Sequence, residues 1–209
     1  MKNLSIISHP LVKRDLTLLR NATTPSNIFR SVLRRTASLM AYEVTKDLRL
    51  KSVTVRSPLE RTEGFVVRDP IILIPILRAG LGLVGGFVEV IPDARVGHIG
   101  LYRDEETLKP VDYYLKFPKK LSGALSIVLD PMLATGGSAV AAVSYLKARG
   151  AKKIRFVSLV AAPAGVRLLS RAHSDVKIYT CALDRQLNAK GYILPGLGDA
   201  GDRIFGTGE

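Results

Sequence analysis

A carboxylate followed by a small, hydroxyl- and glycine-rich loop stands at the end of one apolar run. The run 127–129 ends on Asp130, the loop extends to Ser138, and residues 139–149 form an amphipathic stretch typical of a helix. A buried strand, a tight loop and a helix start make a phosphate cradle, because glycines admit an anion, N–H groups point at it and the helix dipole favours negative charge. The pattern predicts a site for a phosphate monoester.

The loop differs from that of an ordinary ATPase or GTPase. Walker loops place a lysine before the Ser/Thr to reach a nucleotide's terminal phosphates, and Gly137 occupies that place here. Asp130 lies one short loop away from the predicted phosphate, where its carboxylate can accept hydrogen bonds from sugar hydroxyls. A phosphate beside a diol indicates ribose 5-phosphate as the ligand.

This segment resembles the phosphoribosyl pyrophosphate (PRPP) motif of the type I phosphoribosyltransferases. Many members carry two acidic residues at the strand end, whereas Asp130 is followed here by Pro131, the pattern of the uracil phosphoribosyltransferases. The glycine-rich segment 192–207 is similar, almost letter for letter, to the uracil-binding C-terminus of that family. Shorter matches extend the resemblance over almost the entire chain, at 9–12, 75–82 and 101–108.

The resemblance implies an enzyme of pyrimidine salvage that transfers the 5-phosphoribosyl group from PRPP to N1 of uracil, giving UMP and pyrophosphate. The catalytic residues it implies are Arg78, Arg103 and Asp130. The PRPP-binding residues it implies are Arg78, Arg103, Asp130, Pro131, Met132, Leu133, Ala134, Thr135, Gly136, Gly137, Ser138 and Asp199. The uracil-binding residues it implies are Ile193, Gly198, Asp199 and Ala200.

The hydrogen-bond pattern of uracil explains how a glycine-rich segment can select it. O2, N3–H and O4 read acceptor, donor, acceptor, so a matching surface must read donor, acceptor, donor. The backbone of residues 192–201 can supply that order without side chains. Cytosine leaves such groups mispaired, and sites of this kind discriminate by ~10⁴ or more. We expect cytosine to be rejected.

Magnesium is the expected cofactor, carried to the site mainly by PRPP and water rather than by protein ligands. Mg²⁺ commonly keeps several waters and takes phosphate oxygens as ligands, so a dense carboxylate cage is not required. On the leaving side, we expect Arg78, Arg103 and the metal to stabilise the charge that builds on pyrophosphate.

A second glycine pattern, Gly80 to Gly85, satisfies the GxGxxG motif of dinucleotide-binding folds and has an acidic residue, Asp104, downstream. Arg78 lies two residues before the first glycine, where it projects towards bound phosphate, and nothing resembles a hydride-transfer site. We therefore interpret this loop as the pyrophosphate loop, with its N–H groups and Arg78 binding the leaving group.

Apolar runs and helical periodicity alternate along the chain, which predicts an α/β fold with a mostly parallel sheet flanked by helices. An N-terminal amphipathic helix is predicted over residues 25–48, short strands at 53–55 and 65–67, and a protruding, mobile β-arm at 103–118. The predicted sheet strands are 71–77, 96–101, 125–129, 154–160 and 176–181. The predicted intervening helices are 80–90, 139–149 and 164–172. A C-terminal base-binding segment completes the architecture.

Length and composition set the remaining expectations. The 209 residues fit a single domain, 1–209, which buries roughly 70% of the surface that its unfolded chain exposes. The one cysteine, Cys181, lies in an apolar run and reads as a buried structural thiol suited to a reducing cytoplasm. No export segment and no apolar run of ~20 residues is visible, so we expect a soluble cytoplasmic protein.

A net charge of +13 fits both an enzyme with polyanionic substrates and a nucleic-acid binder. The basic residues are spread along the chain, without an arginine-rich tail or an RNA signature, so nucleic acid is disfavoured as a partner. Two alternatives stay open: an RNA-binding regulator built on the same fold, and a transferase for a purine base. The resemblance further implies a homo-oligomer, a dimer or higher, and in some family members activation by GTP.

Overall fold

The computed structural model describes residues 3–103, 110–118 and 120–208. The helices are α1 (Pro10–Arg20), α2 (Ser26–Thr45), α3 (Leu81–Val90), α4 (Gly137–Ala148), α5 (Pro163–Ala172) and α6 (Ala200–Phe205). The strands are β1 (Leu4–Ile6), β2 (Leu50–Arg56), β3 (Arg61–Val67), β4 (Ile71–Leu77), β5 (Arg95–Val96), β6 (His98–Arg103), β7 (Pro110–Lys116), β8 (Leu125–Leu129), β9 (Met132–Leu133), β10 (Lys153–Ala161), β11 (Lys177–Leu183), β12 (Gln186–Leu187) and β13 (Ile193–Leu194).

Within these residues, nine strands form the main sheet in the order β1-β11-β10-β8-β4-β6-β7, with β5 beside β4 and β9 beside β10. Only the β6–β7 pairing in it is antiparallel. The residues of β8 are all buried, as are all but the last of β4, which is the behaviour of central strands covered on both faces. The predicted mostly parallel α/β sheet is confirmed.

The winding direction of the sheet reverses between β4 and β8. From β4 the chain passes through α3 to β6 on one side, whereas from β8 it passes through α4 to β10 on the other. Open α/β sheets bind ligands outside the carboxyl ends of their strands at such a reversal. The two loops that leave this point begin with Arg78 and Asp130.

Helices cover both faces of the sheet. One core joins the sheet to α1, α2 and α3, and the other joins it to α4 and α5. One glycine of the GxGxxG pattern serves the first core, since a Cβ on Gly82 would lie 2.6 Å from Leu33 Cδ2 of α2. Gly86, just after the pattern, packs more closely still, because a Cβ there would lie 2.2 Å from Arg34 O. Close packing of α3 on α2 therefore accounts for Gly82 and Gly86 without a dinucleotide.

The hairpin predicted as a protruding arm over 103–118 includes strand β7, and β6 pairs with β4 only as far as Gly100. Its strand β7 pairs with β6 from His98↔Lys116 to Arg103↔Pro110 and so forms an edge of the main sheet. Residues 104–109 of the predicted arm lie outside the described residues. Two strand pairs form separate two-stranded sheets, β12–β13 and the hairpin β2–β3, which the sequence predicted only as two short strands around a turn.

Two N-terminal elements were not predicted. Strand β1 and helix α1 precede α2, which is the helix predicted over 25–48. His9 caps α1, because its Nδ1 accepts a hydrogen bond from Leu11 N at 3.2 Å, and Pro10 starts the helix. Cys181 is buried as predicted, and burial raises the pKa of its thiol to about 12. No helix among the described residues is long and apolar enough to span a bilayer.

Candidate active site

The loop after β8 has the predicted strand, loop and helix order. Gly136 adopts φ 92°, a left-handed conformation that favours glycine, and α4 begins at Gly137, two residues before the predicted start. Val140 N makes the first helical hydrogen bond, to Gly136 O at 3.0 Å. The N–H groups of Gly137 and Ser138 precede it and therefore lack an intrahelical acceptor. This helix start is ready for an anion.

A small cavity of about 140 Å³ lies in this loop. It is lined by Asp130, Met132, Leu133, Ala134, Thr135, Gly136, Ser138 and Ala139. Two of the predicted PRPP residues, Met132 and Leu133, form the short strand β9 against β10, and the Leu133 side chain is buried in the core.

Helix α5 supports the loop from behind. A Cβ on Gly165 would lie 2.5 Å from Ala134 O and 2.7 Å from Leu133 O, while one on Gly136 would lie 2.9 Å from Gly165 O. Such distances leave no room for a side chain, so α5 and the loop are in direct backbone contact. Ala162 N also donates to Leu133 O at 2.9 Å. The loop is therefore fixed by packing before any ligand arrives.

Asp130 is the acidic group of this cavity. Its Oδ1 accepts a hydrogen bond from Met132 N at 3.3 Å. Burial of the carboxyl raises its pKa to about 7, against the smaller lowering effect of that hydrogen bond. A carboxyl with so little compensation for its charge can bind hydroxyl donors or a cation.

Arg78 opens the loop after β4, and the Leu77–Arg78 peptide bond is cis. Gly80 N donates to a carbonyl of β4, Ile76 O, at 2.9 Å, and the N–H groups of Leu81 and Gly82 donate to carbonyls of this loop at 3.1 Å. These three N–H groups therefore already have acceptors at the turn into α3, and binding of pyrophosphate by the backbone of this loop stays a prediction. The Arg78 guanidinium is more than half exposed and lies 3.6 Å from Asp202, so it can reach an anion.

The C-terminal segment lies beside Arg78. Ile193 is buried on β13, Gly198 has φ 76°, and Ala200 is buried at the start of α6. Asp199 caps this helix, since its Oδ1 accepts a hydrogen bond from Asp202 N at 3.0 Å. That capping contact was not predicted from sequence.

Packing at Gly201 joins the segment to the Arg78 loop. A Cβ on Gly201 would lie 3.9 Å from both Ala79 Cβ and Arg78 Nη2. On the other side of that loop, a Cβ on Gly80 would lie 2.3 Å from Leu129 O, directly before Asp130. The structure thus brings the three predicted regions, around Arg78, Asp130 and Ala200, to one edge of the sheet. Arg103 ends β6, next to β4, and its side chain lies outside the described residues.

A larger pocket, about 370 Å³, lies at the opposite edge of the sheet, near the amino ends of β8, β10 and β11. Its charged side chains pair with one another, as in the contacts of Asp47 with Arg155 and Lys177 at 2.8 and 2.7 Å. It is separate from the residues at the carboxyl edge. Among the described residues, no group of three His, Cys, Asp or Glu side chains could hold a metal ion.

Sequence reasoning missed three residues that hold the C-terminal segment. Arg20 and Asp184 form an ion pair beside Gly196, and Arg203 donates to Leu197 O at 2.9 Å. Arg20 and Asp184 are 164 positions apart, so no local motif signals the pair.

The chain matches known proteins along its whole length. The family model described as uracil phosphoribosyltransferase matches residues 6–207. Proteins named uracil phosphoribosyltransferase from Polaromonas naphthalenivorans and Bacillus velezensis are each 54% identical over 208 residues, which is 99% of this chain and all of theirs. The solved structure of the AQ2163 protein from Aquifex aeolicus is 36% identical, with a TM-score of 0.93 over 97% of both chains. A purine phosphoribosyltransferase from Pyrococcus horikoshii, 15% identical with a TM-score of 0.51 over 88% of both chains, shares the fold.

Proposed function

We propose that this chain, which belongs to the uracil phosphoribosyltransferase family, holds PRPP in the loop after β8 and uracil against its C-terminal segment. The reaction joins uracil to the anomeric carbon of PRPP and releases UMP and pyrophosphate, a step of pyrimidine salvage. The single observation that supports the placement is the convergence of both segments on the reversal point of the sheet.

The 5-phosphate of PRPP is proposed to lie on the loop that ends at Ser138. The N–H groups at the start of α4 that lack an intrahelical acceptor, the helix dipole and the hydroxyls of Thr135 and Ser138 suit a phosphate dianion. Because Gly165 packs against this loop, the phosphate is held by a fixed surface. Binding energy gained here, away from the reacting carbon, then orients that carbon.

The ribose hydroxyls are assigned to Asp130. Displacement at the anomeric carbon passes through an oxocarbenium-like state, in which positive charge builds on the ring. A nearby carboxylate stabilises that charge, and hydroxyl donors in turn stabilise the ionised carboxylate, whose pKa is about 7 in the free protein. Bound PRPP should therefore lower this pKa.

The leaving pyrophosphate is assigned to Arg78, with Arg103 as a second cation. The Arg78 guanidinium is exposed, and its contact with Asp202 is long enough, at 3.6 Å, to yield to a stronger anion. Asp199, at the start of α6, is proposed to reach towards PRPP with the carboxylate oxygen that does not cap the helix.

Magnesium fits these residues in a limited way. The Asp130 carboxyl offers hard oxygen ligands, and because burial raises its pKa to about 7, a nearby cation would stabilise its ionised form. The remaining ligands would come from PRPP and water, since the described residues hold no three-residue metal cluster. When bound, magnesium supplies positive charge to the departing pyrophosphate.

Uracil is proposed to bind the exposed backbone around Gly198, Asp199 and Ala200, with Ile193 beneath. A rigid donor, acceptor, donor order there selects uracil over cytosine. The left-handed conformation of Gly198 allows the backbone to turn its polar groups towards a flat ring.

A homo-oligomer is proposed from the β2–β3 hairpin. Only Val53 and Gly64 among its strand residues are partly buried, and the others are exposed. The exposed side chains include Leu59 at the tip, 96% exposed, and Phe65, 61% exposed. An isolated hairpin with such apolar exposure is marginal in water, so a second copy of the chain covering it would stabilise it.

The remaining expectations stay proposals. The chain is proposed to act as one domain in a reducing cytoplasm, which suits the free thiol of Cys181. Activation by GTP stays a prediction implied by the resemblance.

Incubation of the pure protein with labelled uracil, PRPP and magnesium tests the function. We expect UMP and pyrophosphate in equal amounts, and no product when cytosine, hypoxanthine or guanine replaces uracil. Product with a purine base, or selective RNA binding that survives high salt, would favour one of the two alternatives instead.

A further inference from the structure

We propose that Arg20 and Asp184 are positioning residues for base recognition, because their ion pair fixes the backbone of Gly196 within the segment assigned to uracil. The inference rests on the proposed placement of uracil at that segment. It adds residues from α1 and from the end of β11, far from the glycine-rich segment in the chain.

The ion pair is bidentate. Arg20 ends α1, and its Nη2 donates to Asp184 Oδ1 at 2.6 Å while its Nη1 donates to Oδ2 at 2.9 Å. The Asp184 side chain is 6% exposed and that of Arg20 is 24% exposed. Two parallel, charge-assisted hydrogen bonds in a shielded place define one geometry, which a lysine at position 20 cannot reproduce.

The same pair takes both polar backbone groups of Gly196. Gly196 N donates to Asp184 Oδ2 at 2.9 Å, and Gly196 O accepts from Arg20 Nη1 at 2.6 Å. Gly196 has φ 59°, and a Cβ there would lie 2.1 Å from Ile193 O, so this turn is closely packed. The turn lies between Ile193 and Gly198, two residues assigned to uracil, and therefore sets their relative position.

Arg203 strengthens the same attachment. It donates to Leu197 O at 2.9 Å and to Asn21 O at 2.6 Å, which ties the residue after Gly196 to the end of α1. Its guanidinium lies over the Phe29 ring, 4.4 Å from the centroid. Two arginines thus anchor consecutive residues of the segment to the helix that carries Arg20.

Asp184 is unsuited to a direct chemical role. Its two oxygens already accept three hydrogen bonds, from Arg20 twice and from Gly196 once. Orientation is what remains for it to provide. Recognition by backbone groups depends on their fixed positions, and a misplacement of about 1 Å can cost about 100-fold in rate.

The test compares Asp184→Asn and Arg20→Lys with a matched control, Asp15→Asn. Asp15 is also a buried carboxylate, held by Arg14 and Arg35 at 2.8 and 2.7 Å, but it joins α1 to α2. Steady-state kinetics would be measured against uracil and PRPP separately, with thermal unfolding of each variant.

We expect Asp184→Asn and Arg20→Lys each to lose 10- to 100-fold in kcat/KM for uracil, chiefly through a higher KM. KM for PRPP should change by less than about threefold. The ratio of kcat/KM for uracil to kcat/KM for cytosine should fall in the same two variants. Asp15→Asn should lower the melting temperature while leaving KM for uracil unchanged. If Asp184→Asn does not fold, the kinetics of Arg20→Lys decide.

An unchanged KM for uracil in a folded Asp184→Asn or Arg20→Lys variant would overturn the inference. So would equal losses of kcat/KM for uracil and PRPP, or a raised KM for uracil in Asp15→Asn. These outcomes are distinct from failure of the proposed function, in which the unaltered protein itself forms no UMP.

Discussion

The Arg78 guanidinium lies 3.6 Å from the Asp202 carboxylate, measured from Nη2 to Oδ1, and 5.8 Å from the centroid of the Phe205 ring. Asp202 and Phe205 belong to α6, so the last helix holds the arginine of the loop after β4. This contact joins the pyrophosphate side of the proposed site to the uracil side. An incoming pyrophosphate would exchange a single, long ion pair for shorter charge-assisted contacts.

Substitution Arg78→Ala should lower kcat/KM by ~10² or more, because it removes a charge that stabilises the leaving group. Folding should be unaffected, since the arginine is exposed. Arg34→Ala is the matched control: its side chain is equally exposed, at 59%, and pairs with Glu89 near the end of α3. Steady-state kinetics of both variants test this prediction. Equal values of kcat/KM for Arg78→Ala and Arg34→Ala would show that Arg78 is not part of the site.

Substitution Asp130→Asn should impair the use of PRPP much more than the affinity for uracil. The amide cannot accept from two ribose hydroxyls with the same strength and carries no charge for the oxocarbenium-like state. Separate determination of KM for each substrate, together with kcat, checks this. A larger effect on uracil would mean that the two substrates are placed the wrong way round.

The pH dependence follows from the raised pKa of Asp130. The ordinary pKa is 3.8, and the pKa in the folded protein is about 7. Between these two pH values, the carboxyl keeps its proton in the folded protein but has lost it in the unfolded chain. The retained proton stabilises the folded state relative to the unfolded chain, and this stabilisation is lost as the pH rises from about 4 to about 7. Asp130→Asn should therefore stabilise the protein relative to wild type at pH 8 and not at pH 4, as measured by thermal unfolding.

Burial lowers the pKa of His173, so its effect on stability has the opposite pH dependence. Both wild type and Asp130→Asn contain His173, so this effect cancels when the two proteins are compared. A difference in melting temperature that does not vary with pH would contradict the assignment. In the free enzyme, kcat/KM for PRPP should rise with pH through about 7 as Asp130 ionises.

Substitution Gly165→Ala should raise KM for PRPP about tenfold or more, because the added methyl would push on the carbonyls of Ala134 and Leu133 and displace the phosphate loop. KM for uracil should change little. Gly85→Ala is the control, since a Cβ there meets its nearest neighbour, Arg34, at an ordinary 3.6 Å. If both variants bind PRPP normally, the loop is not fixed by α5.

Charge on the β2–β3 hairpin should dissociate the proposed oligomer. Phe65→Asp places a carboxylate on the exposed apolar face, and burying it in an interface would be costly. Sedimentation velocity should show a shift from dimer or higher species to monomer. Lys51→Asp, on the same hairpin but at an exposed polar position, serves as the control for charge alone. A monomeric wild-type protein would contradict the proposal.

The parts of the fold that repeat a local pattern could be predicted from the sequence. Strand β4 is a continuous apolar run and β8 is apolar except for Ser126, and both lie where the sequence placed them. The loop from Asp130 to Ser138 was recognisable because glycine, hydroxyl and carboxylate occur together at a strand end. The loop lies at the carboxyl edge of the sheet because it follows a strand whose neighbours in the sheet are parallel to it.

Long-range contacts could not be predicted in this way. The role of Gly165 depends on α5 crossing behind the loop, and the pairing of Arg20 with Asp184 depends on tertiary structure. The GxGxxG pattern also has a packing role that the sequence did not reveal. Gly82 lets α3 approach Leu33 of α2, and such packing has no sequence signature distinct from phosphate binding.

A crystal structure with UMP and magnesium pyrophosphate tests the central claim most directly. The placement proposed here predicts the 5′-phosphate on the N–H groups around Gly137 and Ser138, pyrophosphate beside Arg78, and the pyrimidine ring on the backbone of residues 198–200. Pyrimidine density in the loop after Asp130, or at any place away from residues 198–200, would contradict it.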